Sequence, residues 1–469
     1  MTYELISVGI DVGTTTTQIV FSKLTLAKQT VGSAIPEVKI IAKTVLYESQ
    51  IHFTPLLDRE TIDYQRLERI IAGEYERSGF RIDQIATGAV IITGETARKT
   101  NARPVLEQLT GTAGAFVVST AGPDLEGVLA GWGSGAGALS RQRNCTVTNF
   151  DIGGGTTNTA VFRNGDVIDS YALDLGGRLV QVDERGDIVY VSERIAPLLA
   201  ELQLDIRPGQ PASLPKLRWL TNRLAEVFLE LLAVKPLTQT ARRLFIGHRH
   251  RECSQEIISF SGGVAEFIYH PTPVASLTDL RFGDIGPLLG QSIAAVMTAY
   301  GIQLHEPAQT IRATVIGAGS HTLTVSGSTV TYTEAALPLK NLPVIKPFAK
   351  MPTEDWNQFA ANVATELHFY PGQPVAVAFA GEQSPSYAQI KQMAASLINA
   401  LAQQPGPLTV IIERDFAKAL GQTIAAALPG SKPLICLDRL RVHNGDYIDI
   451  GKPIAGAVPV IVKTLVFNT

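Results

Sequence analysis

The chain carries one sequence pattern twice, first near its start as GIDVGTTTTQIVF and again from Asn149 as NFDIGGGTTNTAVF. In each copy, apolar residues lead to an aspartate, which is followed by a Gly- and Thr-rich segment and a β-branched run that ends in an aromatic residue. When Asp11 is aligned with Asp151, the glycine two positions on and the threonines five and six positions on also match. Apolar alternation on both sides of a short Gly-containing segment predicts a β-hairpin. We therefore expect two equivalent hairpins, each with an aspartate beside its turn.

The residue types in the two turns suit phosphate binding. Glycine lets main-chain N–H groups approach a ligand that a Cβ atom would hold away, and successive N–H groups in such a turn form a concavity that binds anions. Threonine hydroxyls add further donors. The expected phosphate contacts are Gly13, Thr14, Thr15 and Thr16 in the first turn, and Gly153, Gly154, Gly155, Thr156 and Thr157 in the second.

The two aspartates are the expected ligands of a magnesium ion. Mg²⁺ loses its water reluctantly and is usually held by one or two carboxylates together with phosphate oxygens. Asp11 and Asp151, facing each other from two hairpins, would bracket a complex of the metal with a triphosphate, and they are also candidate catalytic groups. The alternative for each copy is an ordinary tight hairpin whose aspartate makes an Asx-turn.

A third segment predicts a contact for the base and ribose of a nucleotide. EIISFSGGVAEF, which begins at Glu256, has the pattern of a buried strand, a Gly-Gly turn and the start of a helix. Gly262 and Gly263 would let a flat base lie against the backbone, and the helix start offers free N–H groups. A plain strand-to-helix turn is the alternative. Gly317 and Gly319 are a second candidate pair for the same contact.

The order of these segments resembles the ATPase superfamily of actin, the sugar kinases and the heat-shock chaperones. The resemblance covers residues 1 to 305 and includes AGPDLEGVLAG, similar to the connecting helix of that superfamily, and LDLGGR, similar to its Leu-Gly-Gly segment. It implies an α/β, actin-like (ribonuclease H-like) fold in which two lobes hold ATP and Mg²⁺ between them. It also implies that Gly176 and Gly177 contact the nucleotide.

Two positions depart from the chaperone pattern. Those ATPases have an acidic residue directly before the proline of the connecting helix, where this chain has Gly122. Asp124 and Glu126 are the acidic residues nearby, and either could orient water or metal, so both are candidate catalytic groups. The catalytic lysine of the chaperones has no clear counterpart; Lys99 is a candidate by position, and a solvated helix residue is the alternative.

Passages spread over the whole chain carry a closer resemblance. ATGAVIITGETARKTNA, DLEGVLAGWGSGAGALS, FGDIGPLLGQSI and HNGDYIDIGKPI resemble the reactivating factors of ethanolamine ammonia-lyase. The resemblance implies a molecular chaperone with one client, the lyase holoenzyme with bound cobalamin. Using ATP, such a factor loosens the inactivated enzyme so that damaged cobalamin leaves and intact adenosylcobalamin enters. Slow ATP turnover and association with a bacterial microcompartment are further implications.

Two functions of other classes are open alternatives. A small-molecule kinase of the same superfamily would need an aspartate base and an acceptor pocket in its first lobe, and no distinctive loop for such a pocket stands out in the sequence. A filament or scaffold protein would use the nucleotide for assembly instead. Both alternatives share the expected nucleotide site and differ from the reactivating factor in what responds to the nucleotide.

The chain is expected to divide into three domains. Residues 1–145 form the first lobe, residues 146–305 the second lobe with the adenosine segment, and residues 306–469 a C-terminal α/β domain that could recognise the client or brace the ATPase. The segment IRATVIGAGSHTLTVSGSTVTYTE is rich in Val, Thr and Gly and predicts strands. Beyond Pro338 strand and helix patterns alternate, which predicts a small parallel sheet, and a hairpin ends the chain.

Composition limits the classes of partner. A net charge of −3 and a pI near 6.3 argue against non-specific nucleic-acid binding, which needs a basic surface. The basic stretch from Arg242 to Arg251 is a local exception that could be solvated or bind a partner. Apolar runs stay shorter than the ~18 residues of a membrane span, and the first residues predict a strand and no signal peptide. Widely separated cysteines suit a reducing environment, so a cytoplasmic location without membrane partners is expected.

Overall fold

A computed structural model of the chain describes residues 2–29, 37–58, 60–93, 96, 99–102, 104–105, 108–109, 117–120, 123–246, 256–280, 282–321, 323–326, 330–348, 354–368, 370–401, 403–428, 432–442, 444–453 and 458–463. Three sheets of six, five and eight strands organise these residues, together with a two-stranded ribbon. Of the helices in these ranges, none combines the length and the apolar character needed to cross a membrane.

The first lobe is built on the six-stranded sheet. Its strands are β1 (Thr2–Val12), β2 (Thr16–Gln29), β3 (Glu37–Glu48), β4 (His52–Phe53), β5 (Ile85–Ile92) and β6 (Val117–Thr120), with helix α1 (Tyr64–Ser78) between β4 and β5. The main path of the sheet is β3-β2-β1-β5-β6, in which the first three strands are antiparallel and the last two run parallel to β1. Helix α1 begins after the capping side chain of Asp63 and ends at Gly79, which is left-handed.

Helices α2 (Pro123–Gly133) and α3 (Ala136–Arg143) lead from the first lobe into the second. The strands that follow are β7 (Thr146–Ile152), β8 (Thr157–Arg163), β9 (Asp166–Leu173), β10 (Val180–Val182), β11 (Ile188–Val191), β12 (Phe245–Ile246) and β13 (Ile257–Ser261). The helices are α4 (Ala196–Glu201), α5 (Leu214–Leu231), α6 (Gln239–Arg243), α7 (Ala265–Tyr269) and α8 (Gly286–Ala299). The five-stranded sheet has the order β12-β9-β8-β7-β13, and β10 and β11 form the ribbon.

The two lobes share one strand arrangement. In each, the strand with the aspartate as its second-to-last residue pairs antiparallel with the strand after the turn and parallel with a later strand. Strand β1 therefore lies between β2 and β5, and β7 lies between β8 and β13. Asp11 is opposite Gln18 in the first hairpin, and Asp151 is opposite Asn158 in the second. Both predicted hairpins are therefore confirmed. The fold is the predicted two-lobed, actin-like α/β fold.

The segment after the second lobe begins as a helix where strands are expected. Helix α9 (Ala313–His321) occupies the start of the Val-, Thr- and Gly-rich stretch, so the strand prediction is wrong there. Strands follow at β14 (Leu323–Val325) and β15 (Thr331–Tyr332). Tertiary packing makes this segment a helix, because helices in proteins gain most of their stability from packing and not from intrinsic propensity.

Close backbone contact holds α9 against the first lobe and α2. A Cβ atom added to Gly317 would lie 1.9 Å from the carbonyl oxygen of Leu129, and one added to Gly133 would lie 1.7 Å from that of Ala313. Only glycine allows helices to approach this closely. The contact places Gly317 against α2, away from the cavity described below, so Gly317 is not part of a base contact there.

The C-terminal part contains the eight-stranded sheet. Its remaining elements are β16 (Leu339–Ile345), α10 (Phe359–Leu367), β17 (Ala376–Phe379), α11 (Tyr387–Leu401), β18 (Leu408–Ile412), α12 (Ala417–Ala427), β19 (Leu434–Asp438), β20 (Tyr447–Ile450) and β21 (Pro459–Lys463). The order is β14-β21-β20-β16-β17-β18-β19-β15. Strands β16 to β19 are parallel, and β20 and β21 form an antiparallel pair, which confirms the predicted alternation and the final hairpin. The three domain boundaries stay predictions.

Apolar clusters form separate cores in the second lobe and in the C-terminal part. The rings of Phe150 and Phe260 stack with centroids 5.4 Å apart beneath the second hairpin. In the C-terminal part, the ring of Trp356 stacks on that of Phe359 with centroids 5.0 Å apart. Trp356 therefore serves the core, the commoner role of a large aromatic side chain.

Candidate functional site

A cavity of about 180 Å³ lies between the two hairpins and is lined by both lobes. Most of the residues predicted from sequence meet there. Those that line the cavity are Asp11, Gly13, Thr14, Thr15, Thr16, Glu126, Asp151, Gly153, Gly154, Thr156, Gly177, Gly262 and Gly263. The structure thus brings the two turns, the Gly-Gly segment and one acidic residue of α2 to a single place.

Other predicted residues lie behind or outside the lining. Gly155, Thr157 and Gly176 are buried behind it; the hydroxyl of Thr157 donates to the carbonyl oxygen of Leu175 at 2.7 Å. Gly176 supports the second turn from behind, since a Cβ atom there would lie 2.4 Å from the carbonyl oxygen of Gly154.

The remaining residues predicted from the sequence are not among the described residues that line the cavity. Asp124 lies in the first turn of α2, and its side chain falls outside the described residues. Lys99 is described and does not line the cavity. Most of the basic stretch after Arg243 also falls outside the described residues.

The first turn is held by threonine hydroxyls from neighbouring segments. The N–H of Gly13 donates to the carbonyl oxygen of Thr16 at 2.9 Å. The carbonyl oxygen of Gly13 in turn accepts from the Oγ1 atoms of Thr54 and Thr96 at 2.8 and 3.0 Å. These contacts fix the turn, so its shape is preorganised and does not depend on a ligand.

The second turn repeats this closure. The N–H of Gly153 donates to the carbonyl oxygen of Thr156 at 2.9 Å, the same bond as in the first turn. The N–H groups of Gly177 and Arg178 donate to the carbonyl oxygens of Gly153 and Gly154 at 3.0 and 2.6 Å. The Leu-Gly-Gly segment therefore positions the second turn.

The two turns approach each other across the cavity. A Cβ atom at Gly154 would lie 2.7 Å from Oγ1 of Thr15, which belongs to the other lobe. This Oγ1 is buried and has no hydrogen-bond partner in the described part of the chain. Because buried hydroxyls usually have a partner, the gap between the turns suits a polar ligand.

Asp11 is partly buried beside the first turn. Burial raises the pKa of its carboxyl to about 7, since the charged form loses its hydration; a hydrogen bond from Thr93 opposes the rise, and the charge of Asp151 adds to it. Oγ1 of Thr93 donates to Oδ1 of Asp11 at 2.9 Å. The charge of Asp151 thus acts on Asp11 across the cavity.

Asp151 has its own hydroxyl partners. Oγ of Ser261 donates to Oδ1 at 2.6 Å, and Oγ1 of Thr314 donates to Oδ2 at 3.2 Å. Burial raises the pKa of this carboxyl to about 6, and both hydrogen bonds oppose the rise. Thr314 lies in the first turn of α9, so the misassigned segment supplies part of the site.

The polar groups of the cavity suit a cation bound together with phosphate. Burial makes the charged form of the two carboxylates energetically unfavourable, and a cation between them would reduce that free-energy cost. Among the described residues, no cluster of three or more His, Cys, Asp or Glu side chains is arranged to hold a metal. A cation here would therefore complete its shell with water and phosphate oxygens, as Mg²⁺ usually does. Asp11 and Asp151 fit that role.

A third aspartate of the lining, Asp284, was not predicted as a site residue. Its Oδ1 accepts from the N–H of Gly286 at 2.9 Å, and its Oδ2 lies 3.9 Å from Nε of Arg178. Burial raises its pKa to about 6, while the bond from Gly286 and the charge of Arg178 oppose the rise. Arg178 follows the Leu-Gly-Gly segment directly and is the cation of the cavity lining.

The Gly-Gly segment forms the far wall. Gly262 has φ +84°, and a Cβ atom there would lie 2.4 Å from the carbonyl oxygen of Ile152, so the position requires glycine. Nothing lies within 4 Å of a Cβ atom at Gly263, which leaves open space on the cavity side. Phe267 and Phe282 pack edge to face nearby with centroids 6.1 Å apart. A flat, partly apolar wall of this kind suits a base.

Several lining residues were not predicted as site residues. They are Gln18, Ile51, Thr93, Arg178, Val264, Phe267, Phe282, Asp284, Gly286, Ile311 and Thr314. Arg178, Val264 and Phe267 lie in segments already expected beside a nucleotide, whereas most of the others come from segments that suggest only a strand, a loop or a helix start. Gln18 was the exception in principle, since its position opposite Asp11 follows from the predicted hairpin.

Comparison with known proteins gives one family over nearly the whole chain. Residues 3–468 match the family described as ethanolamine utilisation protein EutA. A protein of Salmonella typhimurium named ethanolamine ammonia-lyase reactivase EutA is 38% identical over 475 residues, and a protein of Escherichia coli with the same name is 38% identical over 474 residues. Each alignment covers 99% of this chain and 99% of the relative.

Solved structures show a more distant likeness. A Ppx/GppA family member from Aquifex aeolicus is 15% identical and aligns over 67% of this chain and 97% of its own, with a TM-score of 0.40. Ethanolamine utilization protein EutJ from Carboxydothermus hydrogenoformans is 16% identical and aligns over 67% of this chain and 89% of its own, with a TM-score of 0.31. MreB5 of Spiroplasma citri bound to ADP is 14% identical and aligns over 67% of this chain and 94% of its own, with a TM-score of 0.34.

Proposed function

This chain belongs to the ethanolamine utilisation protein EutA family, and from that membership we propose that it reactivates ethanolamine ammonia-lyase, the activity for which its 38% identical relatives are named. In full, the proposal is an ATP-dependent chaperone that binds the inactivated lyase holoenzyme with its bound cobalamin. It promotes release of the damaged cobalamin and its exchange for intact adenosylcobalamin. The proposed setting is the cytoplasm, in association with a bacterial microcompartment.

One observation carries the ATP dependence: two glycine turns, each with a buried aspartate, meet at one cavity from two lobes. Main-chain N–H groups of the turns at Gly13 and Gly153 would bind phosphates. Asp11 and Asp151 would hold Mg²⁺, which when bound supplies neutralising charge to the phosphates. Gly262 and Gly263 leave room for the base and ribose beside the aromatic wall.

Hydrolysis in such a site depends on positioning and charge neutralisation more than on covalent chemistry. Asp11 and Asp151 are the proposed catalytic carboxylates, and Glu126 faces the same cavity from α2. Burial raises the pKa of Asp11 to about 7 without a cation, and bound Mg²⁺ would favour the charged carboxylate. Slow turnover is expected, since the two carboxylates repel the phosphates until a cation is bound.

Reactivation would follow from movement of the lobes. A nucleotide held by both turns links them, and loss of the terminal phosphate removes a different set of contacts from each turn. The lobes would then rotate relative to each other, as in other domain-closure transitions, and the C-terminal part would change its fit to the lyase. The nucleotide shifts the equilibrium only by its different affinity for the two arrangements.

The test is recovery of ammonia-lyase activity after inactivation with cyanocobalamin. The full chain, ATP, Mg²⁺ and adenosylcobalamin are added together and then omitted one at a time, with Asp151→Asn as the matched variant. We expect recovery only when all four are present, and none with the variant.

Each alternative has its own result in this assay. Recovery without ATP would remove the ATP dependence and keep the reactivating role. Tight binding of ATP without any recovery would remove the reactivating role, and ATP consumption would then be measured with small-molecule acceptors to test a kinase. Light scattering that rises with ATP would indicate a filament.

A further inference from the structure

Gln18 presents a neutral amide to the cavity, and no role assigned so far uses it. The residue lies in β2 just beyond the first turn, lines the cavity and is 5% exposed. Its Oε1 is buried without a hydrogen-bond partner in the described part of the chain. Buried carbonyl oxygens nearly always accept a hydrogen bond or meet a cation. This oxygen is therefore expected to meet a group that enters the cavity.

The strand register places Gln18 beside Asp11. The two residues are directly opposite in the antiparallel pair of β1 and β2. Side chains opposite each other in such a pair point to the same side of the sheet, with Cβ atoms ~5 Å apart. Both residues also line the cavity, so the amide and the carboxylate face it together, next to the turn proposed to bind phosphate.

Two hydroxyls and one carboxylate close to Gln18 and the aspartates are already engaged. The hydroxyl of Thr93 donates to Asp11, and that of Thr314 donates to Asp151. Glu126, the acidic residue that α2 brings to the cavity, already has a partner within the protein. Gln18 differs from these residues because its acceptor atom has none.

The chemistry of an amide oxygen limits what it can face. An acceptor cannot bond to phosphate oxygens, which are acceptors too, so the partner must be a hydrogen donor or a metal. Mg²⁺ is usually held by one or two carboxylates, and Asp11 and Asp151 already supply two. Water is the hydrogen donor that hydrolysis of ATP requires, and a glutamine side chain is well suited to orient it.

We propose that Gln18 is a catalytic residue whose amide oxygen accepts a hydrogen bond from the attacking water and directs it at the terminal phosphorus of ATP. The water oxygen forms a bond to that phosphorus while the bond to the bridging oxygen breaks, and the electron pair of the broken bond stays on ADP. A proton of the water passes to a phosphoryl oxygen, so inorganic phosphate keeps both hydrogens of the water. The amide is unchanged. This inference rests on the proposed ATP-dependent function.

The decisive variant is Gln18→Met in the full chain, because methionine keeps the length of the side chain and removes the amide. Measured with ATP and Mg²⁺, its kcat should fall by about 100-fold, the order of loss when a reacting group is misplaced. KM and the Kd of a non-hydrolysable ATP analogue should stay within about twofold, since the interaction acts on the transition state alone. Gln65→Met makes the same change on the exposed face of α1 and should leave all values unchanged.

Two results would overturn the assignment. An unchanged kcat in Gln18→Met would show that the amide does not orient the water. A kcat that returns to normal at high Mg²⁺ concentration would show that the oxygen binds the metal instead. Should Gln18→Met fail to fold in a thermal melt, Gln18→Asn, which withdraws the amide by one methylene group, must show the same split between kcat and KM.

The proposed function and this assignment can fail separately. Wild-type protein that neither binds nor hydrolyses ATP would overturn both. Wild-type protein that hydrolyses ATP and reactivates the lyase, with Gln18→Met equally active in both assays, would overturn the assignment of Gln18 alone.

Discussion

At the scale of single residues, the cavity is marked by three buried aspartates. The pKa of Asp11 is raised to about 7, and those of Asp151 and Asp284 to about 6, with burial as the largest cause in each case. A carboxylate that has lost its hydration destabilises the fold unless a cation or donors compensate. Three such groups around one cavity are thus better explained by ligand binding than by stability.

Asp151→Asn should separate stability from function. The change removes a charge that burial penalises and keeps an oxygen that can accept from Ser261, so we expect an unchanged or higher Tm without ligand. ATP hydrolysis should fall by about 100-fold or more, as when a group that stabilises transition-state charge is removed. Thermal melts and phosphate release measure the two effects. Normal hydrolysis in both Asp151→Asn and Asp11→Asn would contradict the site assignment.

Asp284 should make stability depend on pH. Its folded pKa of about 6 lies above the ordinary 3.8, so between these values the folded state holds a proton that the unfolded state has lost. The free energy of unfolding therefore falls as pH rises from 4 to 7, by about 2 kcal/mol for this group. Asp284→Asn should remove that part of the slope in urea unfolding at pH 4 and pH 7. Parallel pH curves for variant and wild type would contradict the expected linkage.

The site residues that could not be predicted from the sequence are those that reach the cavity from distant parts of the chain. Asp11 and Asp151 were predictable because each stands beside a Gly- and Thr-rich turn. Thr93 reaches Asp11 from 82 positions along the chain, and Thr314 reaches Asp151 from 163 positions away. Nothing in the sequence around either threonine distinguishes it from an ordinary strand or helix residue.

At the scale of elements, a helix or strand could be predicted from the sequence where local residues determine it, and not where distant contacts do. Both hairpins were predictable, since alternation and turn residues are local signals. Helix α9 was not, because its Val, Thr and Ile residues favour strands while its stability comes from backbone contact at Gly133 and Gly317. The parallel strands β17 to β19 were predictable for the same reason as the hairpins, since each is a short apolar run next to a helical pattern.

The approach of the two turns predicts the effect of Gly154→Val. A Cβ atom at this position would lie 2.7 Å from Oγ1 of Thr15, so the larger side chain would force the turns apart. We expect the Kd of a non-hydrolysable ATP analogue to rise by about tenfold or more, which corresponds to about 1.4 kcal/mol. Titration calorimetry measures this change.

A second glycine variant provides the control. Gly73→Ala in α1 has only the end of the Arg77 side chain within 4 Å of the new Cβ atom, so it should leave the Kd unchanged and stabilise the helix by about 0.5–1 kcal/mol. An affinity retained in Gly154→Val would indicate an ordinary hairpin with no ligand between the turns.

At the scale of the whole molecule, α9 decides where the part of the chain that carries the cavity can be separated from the rest. It packs on α2 through Gly317 and supplies Thr314 to Asp151, although it follows the expected boundary at residue 305. A fragment of residues 1–321 keeps these contacts, whereas a fragment of residues 1–305 lacks them and exposes the apolar face of α2. We expect the longer fragment alone to fold cooperatively and bind the ATP analogue, without reactivating the lyase.

Circular dichroism melts and titration calorimetry on the two fragments check this expectation. The full chain serves as the reference for affinity. A shorter fragment that melts cooperatively and binds the analogue would support a boundary at residue 305 and would show that α9 is dispensable for the site.

Helix α9 also has a mechanical consequence. It is 9 residues long, or ~13 Å, with Thr314 near its first turn and β14 beginning two residues beyond its last. Strand β14 pairs with β21 in the eight-stranded sheet. A packed helix of this length is stiff, so a tilt at the end that touches Asp151 is delivered to the sheet as a displacement. Such a tilt would change the position of the C-terminal sheet relative to the cavity.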